Sequence, residues 1–321
     1  MKVMLVTGGA GFIGSQYVRY VLAQDPDIQV VNYDKLTYAG HLNNLQHLPD
    51  PARHHFIQGD ICDPAALEAV FERYPIDTIV HFAAESHVDR SIQNPAVFVE
   101  TNVLGTFQLL EKARQHQCRF HHISTDEVYG TLSKDDPAFH EHTPYAPNSP
   151  YSASKAGSDH LVRAYFHTYG LPVTLSNCSN NYGPAQHAEK LIPTIIRCCA
   201  AKQPIPVYGD GSNIRDWLYV EDHCEAIHLI LTQGRLGETY NVGGNNEMSN
   251  IALVRQICRV MDEYCSANVP YERLISFVPD RPGHDWRYAI DARKMYQAFG
   301  WMPKTSFNEG LRKTIIASAV L

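Results

Sequence analysis

The sequence has no excess of positive charge, no long hydrophobic run and no secretory signal pattern. Its 321 residues carry 27 Lys and Arg against 34 Asp and Glu, a formal net charge of −7. Because affinity for nucleic acid depends largely on clustered basic side chains, this balance argues against a nucleic-acid partner. No apolar run approaches the roughly 20 residues of a membrane span, and no basic segment followed by an apolar one opens the chain. We therefore expect a cytoplasmic protein without a membrane partner.

The cysteine and histidine patterns indicate neither a disulfide framework nor a metal site. The eight cysteines form no CxxC pair, so we expect free thiols in a reducing compartment. The 17 histidines form no HExxH arrangement, and we expect no bound metal. With 44% hydrophobic residues, the chain is long enough to bury a full core in one large or two coupled domains.

A glycine-rich turn follows the first predicted strand. Residues 2–7 form a short apolar run typical of a buried parallel strand, and Gly8, Gly11 and Gly14 follow before a predicted helix that ends near Gln24. Such glycines permit a tight turn and let the backbone approach a pyrophosphate, which the helix N-terminus attracts. The pattern predicts a dinucleotide site, although a glycine turn alone is weak evidence.

An acidic residue ends the second predicted strand. This strand covers residues 30–33 and is followed by Asp34, about 20 positions after the glycine turn, where a carboxylate typically receives the adenosine ribose hydroxyls. A carboxylate at this position would repel a 2′-phosphate. The sequence therefore favours NAD over NADP.

Strands and helices continue to alternate along the chain. Further predicted elements are strands at 56–58, 78–82, 120–123 and 173–175, helices at 64–74, 95–116, 151–169 and 192–201, and a turn at 180–184. This alternation predicts an α/β fold, a Rossmann-like doubly wound parallel sheet with a smaller C-terminal α/β substrate lobe. We expect an NAD-binding domain over residues 1–177, with 217–243 returning to it, and a mainly substrate-binding lobe over 178–321.

Two groups of polar side chains follow the glycine turn at a distance. Tyr151 and Lys155 lie four residues apart on one predicted helix face, where a phenol and an ammonium could act on one ligand. Asp126 and Glu127 follow the fifth predicted strand, at the edge of the sheet where ligands bind. Taken alone, the first pair is more typical of an ordinary helix surface and the second of a strand end or helix cap. After a dinucleotide motif, we favour a catalytic interpretation of both.

At these residues the sequence resembles the extended short-chain dehydrogenase/reductase family and, within it, the dTDP-glucose 4,6-dehydratases. The similar segments cover the chain nearly end to end and are residues 7–14, 34–40, 83–91, 124–130, 151–155, 180–184, 215–220 and 280–285. The glycine turn and the Tyr-Lys pair mark only the superfamily. Thr125, Asp126 and Glu127 are the discriminating signal.

The resemblance implies a dehydratase mechanism with NAD as cofactor. Tyr151 would remove the proton of the sugar 4-hydroxyl, with Thr125 bonded to the same oxygen and Lys155 holding the nicotinamide ribose and lowering the tyrosine pKa. The C4 hydride would pass to NAD. Glu127 would then remove H5, and a protonated Asp126 would give its proton to the departing 6-hydroxyl.

The resemblance also implies the residues that contact each ligand. For NAD we expect contacts at Gly8, Gly11, Phe12, Ile13, Gly14, Asp34, Lys35, Leu36, Thr37, Asp60, Ile61, Phe82, Ala83, Ala84, Glu85, Ser86, Thr101, Tyr151, Lys155 and Asn181. For the nucleotide sugar we expect contacts at Ser86, Thr125, Asn180, Lys190, Leu191, Pro206, Val207, Tyr208, Arg215, Asn250, Asp280, Arg281, Pro282, Gly283 and His284. The helices near 95–116 and 151–169 resemble those through which the family forms homodimers.

Three other functions stay open on the sequence alone. The chain could be a 4-epimerase, a 4,6-dehydratase of another nucleotide sugar, or a non-catalytic NAD-binding scaffold, since one fold hosts unrelated functions. The complete set of tyrosine, lysine and two carboxylates argues against the scaffold.

Overall fold

The structure is a computed structural model that describes residues 2–264, 269–280 and 282–318. Its strands are β1 Lys2–Thr7, β2 Ile28–Asp34, β3 His54–Gln58, β4 Thr78–His81, β5 Arg119–Thr125, β6 Val173–Cys178, β7 Asn180–Tyr182, β8 Ile205–Tyr208, β9 Ile214–Tyr219, β10 Thr239–Val242, β11 Glu247–Ser249 and β12 Ile275–Val278. Its helices are α1 Phe12–Gln24, α2 Pro64–Arg73, α3 Val88–Gln93, α4 Pro95–Phe98, α5 Thr106–His116, α6 Pro150–Tyr169, α7 Leu191–Ala201, α8 Val220–Gln233, α9 Asn250–Tyr264, α10 Arg293–Phe299 and α11 Phe307–Ala317.

Seven strands form one parallel sheet in the order β10-β6-β5-β4-β1-β2-β3. Both faces of the sheet are covered. Apolar side chains of α2, α5 and α6 pack on one face, and those of α1 and α8 pack on the other. From β3 at the edge the chain returns to β4 beside β1, and the carboxyl ends of these strands border the crevice where such sheets bind ligands. The predicted Rossmann-like α/β fold is confirmed.

A second lobe has its own small sheets and core. Strands β7, β9 and β11 form a three-stranded sheet, and β8 pairs with β12. Apolar side chains of α7, α9 and α11 pack together beneath them. Between these elements the chain returns once to the large sheet, because α8 packs on α1 and β10 pairs with β6.

The helix predicted at 95–116 is confirmed in its bounds, but it contains an unpredicted π-helical segment at Val99–Gly105 between α4 and α5. Another local prediction is wrong. The turn predicted at 180–184 begins as strand β7, whose Asn180 pairs with Trp217 of β9. Both differences come from partners distant in the sequence, which local patterns do not reveal.

The described residues also bear on the expected thiols, metals and membrane segments. Their cysteines are free thiols, and Cys265 lies outside the described residues. Across residues 2–264, 269–280 and 282–318, no helix is long and apolar enough to span a bilayer. Within the same ranges, no three His, Cys, Asp or Glu side chains are grouped in a way that could hold a metal ion.

Candidate active site

One continuous cleft runs along the carboxyl ends of β1, β2, β4 and β5 and into the second lobe. Its cavity volume is about 520 Å³. All five predicted catalytic residues line it, although they come from β5, the turn after β5 and helix α6. The cleft therefore brings together the two groups of polar side chains that the sequence separates.

The glycine turn forms the floor of the cleft beside β1. Gly8 has a φ of 71°, and a Cβ atom built on it would lie 2.6 Å from the backbone nitrogen of Ala83. A Cβ on Gly14 would lie 2.3 Å from the Gly8 carbonyl oxygen. These positions require glycine because backbone segments approach each other there. The turn also directs the N-terminus of α1 toward the cleft, where backbone N–H groups favour an anion.

Asp34 closes this end of the cleft at the end of β2. Its Oδ2 accepts a hydrogen bond from the backbone N–H of Ala10 at 2.9 Å, and its Oδ1 accepts one from Leu36 at 2.8 Å. The buried carboxylate is thereby oriented across the glycine turn. Next to it, Lys35 forms an ion pair with Asp60, 2.6 Å between Nζ and Oδ2. Leu36 is the one residue of the predicted NAD set that does not line the cleft.

The π-helical segment fixes the chain that follows β4. Asn102 accepts a hydrogen bond from the backbone N–H of Glu85 at 2.9 Å and donates one to the Glu85 carbonyl oxygen at 3.0 Å. It also donates to Ser154 Oγ on α6 at 2.8 Å. These bonds hold Ala83 to Ser86 along the cleft, with Thr101 beside them. π-Helical insertions are frequent at functional sites, and this one positions cleft backbone.

The two adjacent carboxyl groups occupy different environments at the end of β5. Asp126 is 2% exposed, and burial raises its pKa well above its ordinary value, with further increases from Glu127 and Asp216. Its Oδ1 accepts a hydrogen bond from Thr125 Oγ1 at 3.3 Å, whereas its Oδ2 is buried without a hydrogen-bond partner in the described residues. Glu127 is only partly buried. Asp126 is therefore suited to carry a proton, and the neighbouring Glu127 raises the pKa that keeps it there.

Tyr151 and Lys155 face the same cleft from α6. The Lys155 ammonium donates a hydrogen bond to the Ile123 carbonyl oxygen at 2.8 Å, and burial lowers its pKa to about 8. Burial and then Glu127 raise the pKa of Tyr151, while a hydrogen bond with Thr125 lowers it. The pKa of Tyr151 is therefore raised overall, whereas the sequence predicted that Lys155 would lower it. The protein alone therefore holds Tyr151 as a neutral phenol.

The far end of the cleft is lined by the second lobe. Of the predicted substrate contacts, the following residues of the second lobe lie there: Asn180, Lys190, Leu191, Pro206, Val207, Tyr208, Arg215, Asn250 and His284. The side-chain oxygens of Asn180 and Asn250 are buried without a hydrogen-bond partner among the described residues. Such atoms are available to a ligand.

Three predicted substrate contacts lie off the cleft. Asp280, Pro282 and Gly283 do not line it, and Arg281 lies outside the described residues. Asp280 Oδ1 lies 2.6 Å from Nδ1 of His284, which does line the cleft.

Tyr288 is a cleft residue that the sequence pattern did not reveal. It is buried beneath Arg215, whose guanidinium carbon lies 4.2 Å from the ring centroid, and its hydroxyl donates to Asp285. Burial and then Glu127 raise its pKa, which places the phenol near the carboxylates. Isolated β-bridges from the preceding residue, Arg287, to Leu132 and Ile214 hold Tyr288 at the cleft. No local sequence pattern predicts such long-range contacts.

The fold and the site together define a class of protein. A glycine turn after β1, an acidic residue ending β2 and a Tyr-Lys pair on one helix are the parts of a dinucleotide-binding enzyme of the short-chain dehydrogenase/reductase type. Asp126 and Glu127 line the same cleft and add two carboxyl groups that can donate or accept a proton.

Comparison with known proteins gives the family. A sequence model of the GDP-mannose 4,6 dehydratase family matches residues 5–314, and the chain belongs to this family.

The relatives compared share almost the whole chain. The dTDP-glucose 4,6-dehydratase of Neisseria meningitidis is 55% identical over 98% of this chain and 92% of that protein. DesIV, the dTDP-glucose 4,6-dehydratase of Streptomyces venezuelae with NAD and TYD bound, is 47% identical with a TM-score of 0.91, covering 98% of this chain and 96% of that chain. The dTDP-glucose 4,6-dehydratase of Bacillus anthracis in complex with NAD is 45% identical with a TM-score of 0.89, covering 99% and 96%. The resemblance drawn from the sequence is confirmed.

Proposed function

We propose that this chain is an NAD-dependent dTDP-glucose 4,6-dehydratase. It oxidises C4 of the sugar, eliminates water across C5 and C6, and gives dTDP-4-keto-6-deoxy-glucose after hydride return to C6. The observation that carries the proposal is the pair Asp126 and Glu127, which lie in the same cleft as Tyr151 and Lys155 and in environments that differ in burial. The relatives named above support dTDP-glucose as the substrate.

The residues of the cleft fit NAD. Gly8, Gly11 and Gly14 line the cleft at the start of α1, where backbone N–H groups would bind the pyrophosphate. Asp34 and Lys155 line the cleft, and they would bind the adenosine ribose and the nicotinamide ribose, respectively. When bound, NAD would supply the hydride-transfer chemistry between C4 and C6 of the sugar, and it would be regenerated in each turnover.

Oxidation at C4 requires a group that accepts the proton of the 4-hydroxyl. Tyr151 is that group, with Thr125 hydrogen-bonded to the same oxygen. Because burial raises the pKa of Tyr151, the phenolate needs nearby positive charge, which the Lys155 ammonium and an oxidised nicotinamide ring both supply. Proton transfer of this kind typically contributes about 10²–10⁴-fold in rate.

Elimination of water requires one base and one acid on neighbouring carbons. Oxidation makes H5 acidic, because it lies next to the new C4 ketone. Glu127, the less buried carboxylate, removes H5, and Asp126, held protonated by burial, gives its proton to the departing 6-oxygen. Two adjacent carboxyl groups thus divide the acid and base roles through their different environments.

The second lobe recognises the nucleotide diphosphate. Arg215 and Lys190 line this end of the cleft and suit the phosphate charges, because a guanidinium can bond two oxygens at once. The unpartnered oxygens of Asn180 and Asn250 can accept donors of the ligand. We assign residues 1–177 with 217–243 to the cofactor and residues 178–321 mainly to the substrate. Arg281 belongs to the substrate contacts expected from the sequence.

A cytoplasmic homodimer is also part of this proposal. Large apolar side chains are exposed along the π-helical segment and α5, with Val99 at 56%, Leu104 at 46% and Phe107 at 37%. A second copy packed on α5 and α6 would cover them, as exposed apolar patches often mark protein contacts. Sedimentation equilibrium measures the mass. A dimer is expected, and replacing Phe107 by Glu should shift it toward monomer.

Parallel incubations with dTDP-glucose and UDP-glucose test the activity. Mass spectrometry should show loss of one water from dTDP-glucose, and the product should absorb in alkali as a 4-keto sugar. A product of unchanged mass with inverted C4 would identify a 4-epimerase. Water loss only from UDP-glucose would identify a dehydratase of another nucleotide sugar. If neither substrate changed, the chain would be a non-catalytic NAD-binding scaffold.

A further inference from the structure

A buried carboxylate outside the cleft lies on the same helix as Lys155. Asp159 follows Lys155 by one turn of α6, and its side chain is fully shielded from solvent. It does not line the cleft, so it does not touch a ligand there. Burying a carboxylate is unfavourable unless partners compensate for lost water, which makes its surroundings informative.

The carboxylate of Asp159 bonds to the end of β5. Its Oδ2 accepts hydrogen bonds from Ser124 Oγ at 2.8 Å and from Tyr145 Oη at 3.0 Å. Asn177 continues the network, because its Nδ2 donates to Tyr145 Oη at 3.1 Å and to the Thr125 carbonyl oxygen at 3.3 Å. The carboxylate therefore helps fix the strand end that carries Thr125.

The other carboxylate oxygen lies beside the imidazole of His122, which Lys155 also contacts. Asp159 Oδ1 lies 3.2 Å from Nε2 of His122, and the same nitrogen lies 3.3 Å from Lys155 Nζ. Both charged groups thus contact one imidazole nitrogen, and His122 and Asp159 are fully buried. Burial lowers the pKa of His122 well below its ordinary value, so the imidazole is neutral and adds no positive charge.

Burial and the neighbouring charged groups shift the pKa values of Asp159 and Lys155 in opposite directions. Burial raises its pKa to about 6, and Lys155 is the strongest influence in the opposite direction, ahead of the hydrogen bonds from Ser124 and Tyr145 and the nearby His160. For Lys155, burial lowers the pKa to about 8, and Asp159 is the strongest opposing influence. Burial, then Glu141 and then Asp159 raise the pKa of the Tyr129 phenol.

We propose that Asp159 is a positioning residue for the reaction, whose buried negative charge keeps Lys155 as an ammonium and holds the end of β5 in place against α6. The inference rests on the proposed function, because a charged Lys155 matters there for stabilising the Tyr151 phenolate. The ammonium is lost as pH rises through the pKa of Lys155. Removing the charge of Asp159 lowers that pKa, so the ammonium is lost at lower pH.

Competitive labelling measures the charge of Lys155 directly. Trace acetic anhydride is reacted with the NAD-free full chain at a series of pH values, and mass spectrometry follows acetylation of Lys155. With Asp159→Asn, the midpoint of labelling should move down by about 1–3 pH units, as expected for the loss of a nearby opposite charge. The alkaline limb of dehydratase kcat should move in the same direction.

Three variants separate charge from structure. Asp159→Glu keeps the charge and should leave the midpoint near that of the parent protein. Tyr145→Phe removes the hydrogen bonds to Asp159 and from Asn177 but no charge, so it should lower the melting temperature without moving the midpoint. Asp159→Ser is a second neutral variant and should move the midpoint as Asp159→Asn does.

The outcomes are distinguishable. An unmoved midpoint in Asp159→Asn with activity reduced equally at every pH would reduce Asp159 to a structural role and overturn the proposal. Failure of both neutral variants to fold would assign Asp159 to folding and overturn it as well. A shifted midpoint in a protein that leaves nucleotide sugars unchanged would support the role of Asp159 and reject the proposed function alone.

Discussion

Replacing Asp126 by Asn should stop elimination while leaving the protein folded and the cofactor bound. Burial, Glu127 and Asp216 all raise the pKa of Asp126, which favours the neutral, protonated form of the native side chain. Asparagine is neutral and nearly the same size, and its Oδ1 can keep the hydrogen bond from Thr125 Oγ1. The change in the free energy of unfolding should therefore stay within about 1 kcal/mol, unlike the removal of a buried charge.

The cost of this substitution should fall on one step of the reaction. An amide cannot give a proton to the departing 6-oxygen, and loss of a positioned acid typically costs about 10²–10⁴ in rate, or about 3–5 kcal/mol on the barrier. Oxidation at C4 depends on Tyr151, Thr125 and Lys155, which the substitution leaves in place. The variant should therefore oxidise the sugar and then stall.

Single-turnover absorbance separates these steps. With excess dTDP-glucose, Asp126→Asn should show the absorbance of reduced nicotinamide rising and persisting, whereas the parent protein should show it only transiently. Asp210→Asn, at an exposed turn, is the matched control and should behave as the parent. Full turnover by Asp126→Asn, or failure to reduce the cofactor at all, would refute the assigned role.

Three further predictions follow from the same geometry. Glu127→Gln should nearly abolish turnover with NAD still bound, and it should also lose exchange of H5 with deuterated water; normal dehydration by this variant would remove Glu127 from the mechanism. Gly8→Ala should lower NAD affinity and destabilise the fold by about 1–3 kcal/mol, since its φ of 71° and the 2.6 Å approach to Ala83 leave no room for a methyl group; equal denaturation midpoints would contradict this. Arg90→Gln removes the paired hydrogen bonds of 3.1 and 2.5 Å to Glu189, which join α3 to the segment before α7. The variant should release NAD up to about fivefold faster, as expected for the loss of an exposed ion pair. Release at the parent rate in a stopped-flow experiment would show that the pair does not retain the cofactor.

The cofactor side of the site was predictable because its signals are local. The strand, the glycine turn and helix α1 are contiguous, and the acidic residue Asp34 follows at a fixed spacing on the next strand. Parallel strands end at one edge of a sheet, so the order of elements alone brought Thr125 and Tyr151 to the same cleft.

The rest depends on contacts between distant segments. The π-helical segment forms where Asn102 bonds to Glu85 and Ser154, and no period in residues 95–116 signals that insertion. Tyr288 reaches the cleft through bridges to other loops. Asp126 and Glu127 also differ in burial, and two adjacent acidic residues in a sequence do not show which of them is buried.

The fate of the hydrogen at C4 tests the central claim most directly. That claim is that one cleft oxidises, dehydrates and reduces the same sugar. With dTDP-glucose carrying deuterium at C4, the product should have lost one water and should carry that deuterium at C6, as read by mass spectrometry and NMR. A product that keeps its 6-oxygen, or one whose C6 hydrogens all come from solvent, would contradict the account.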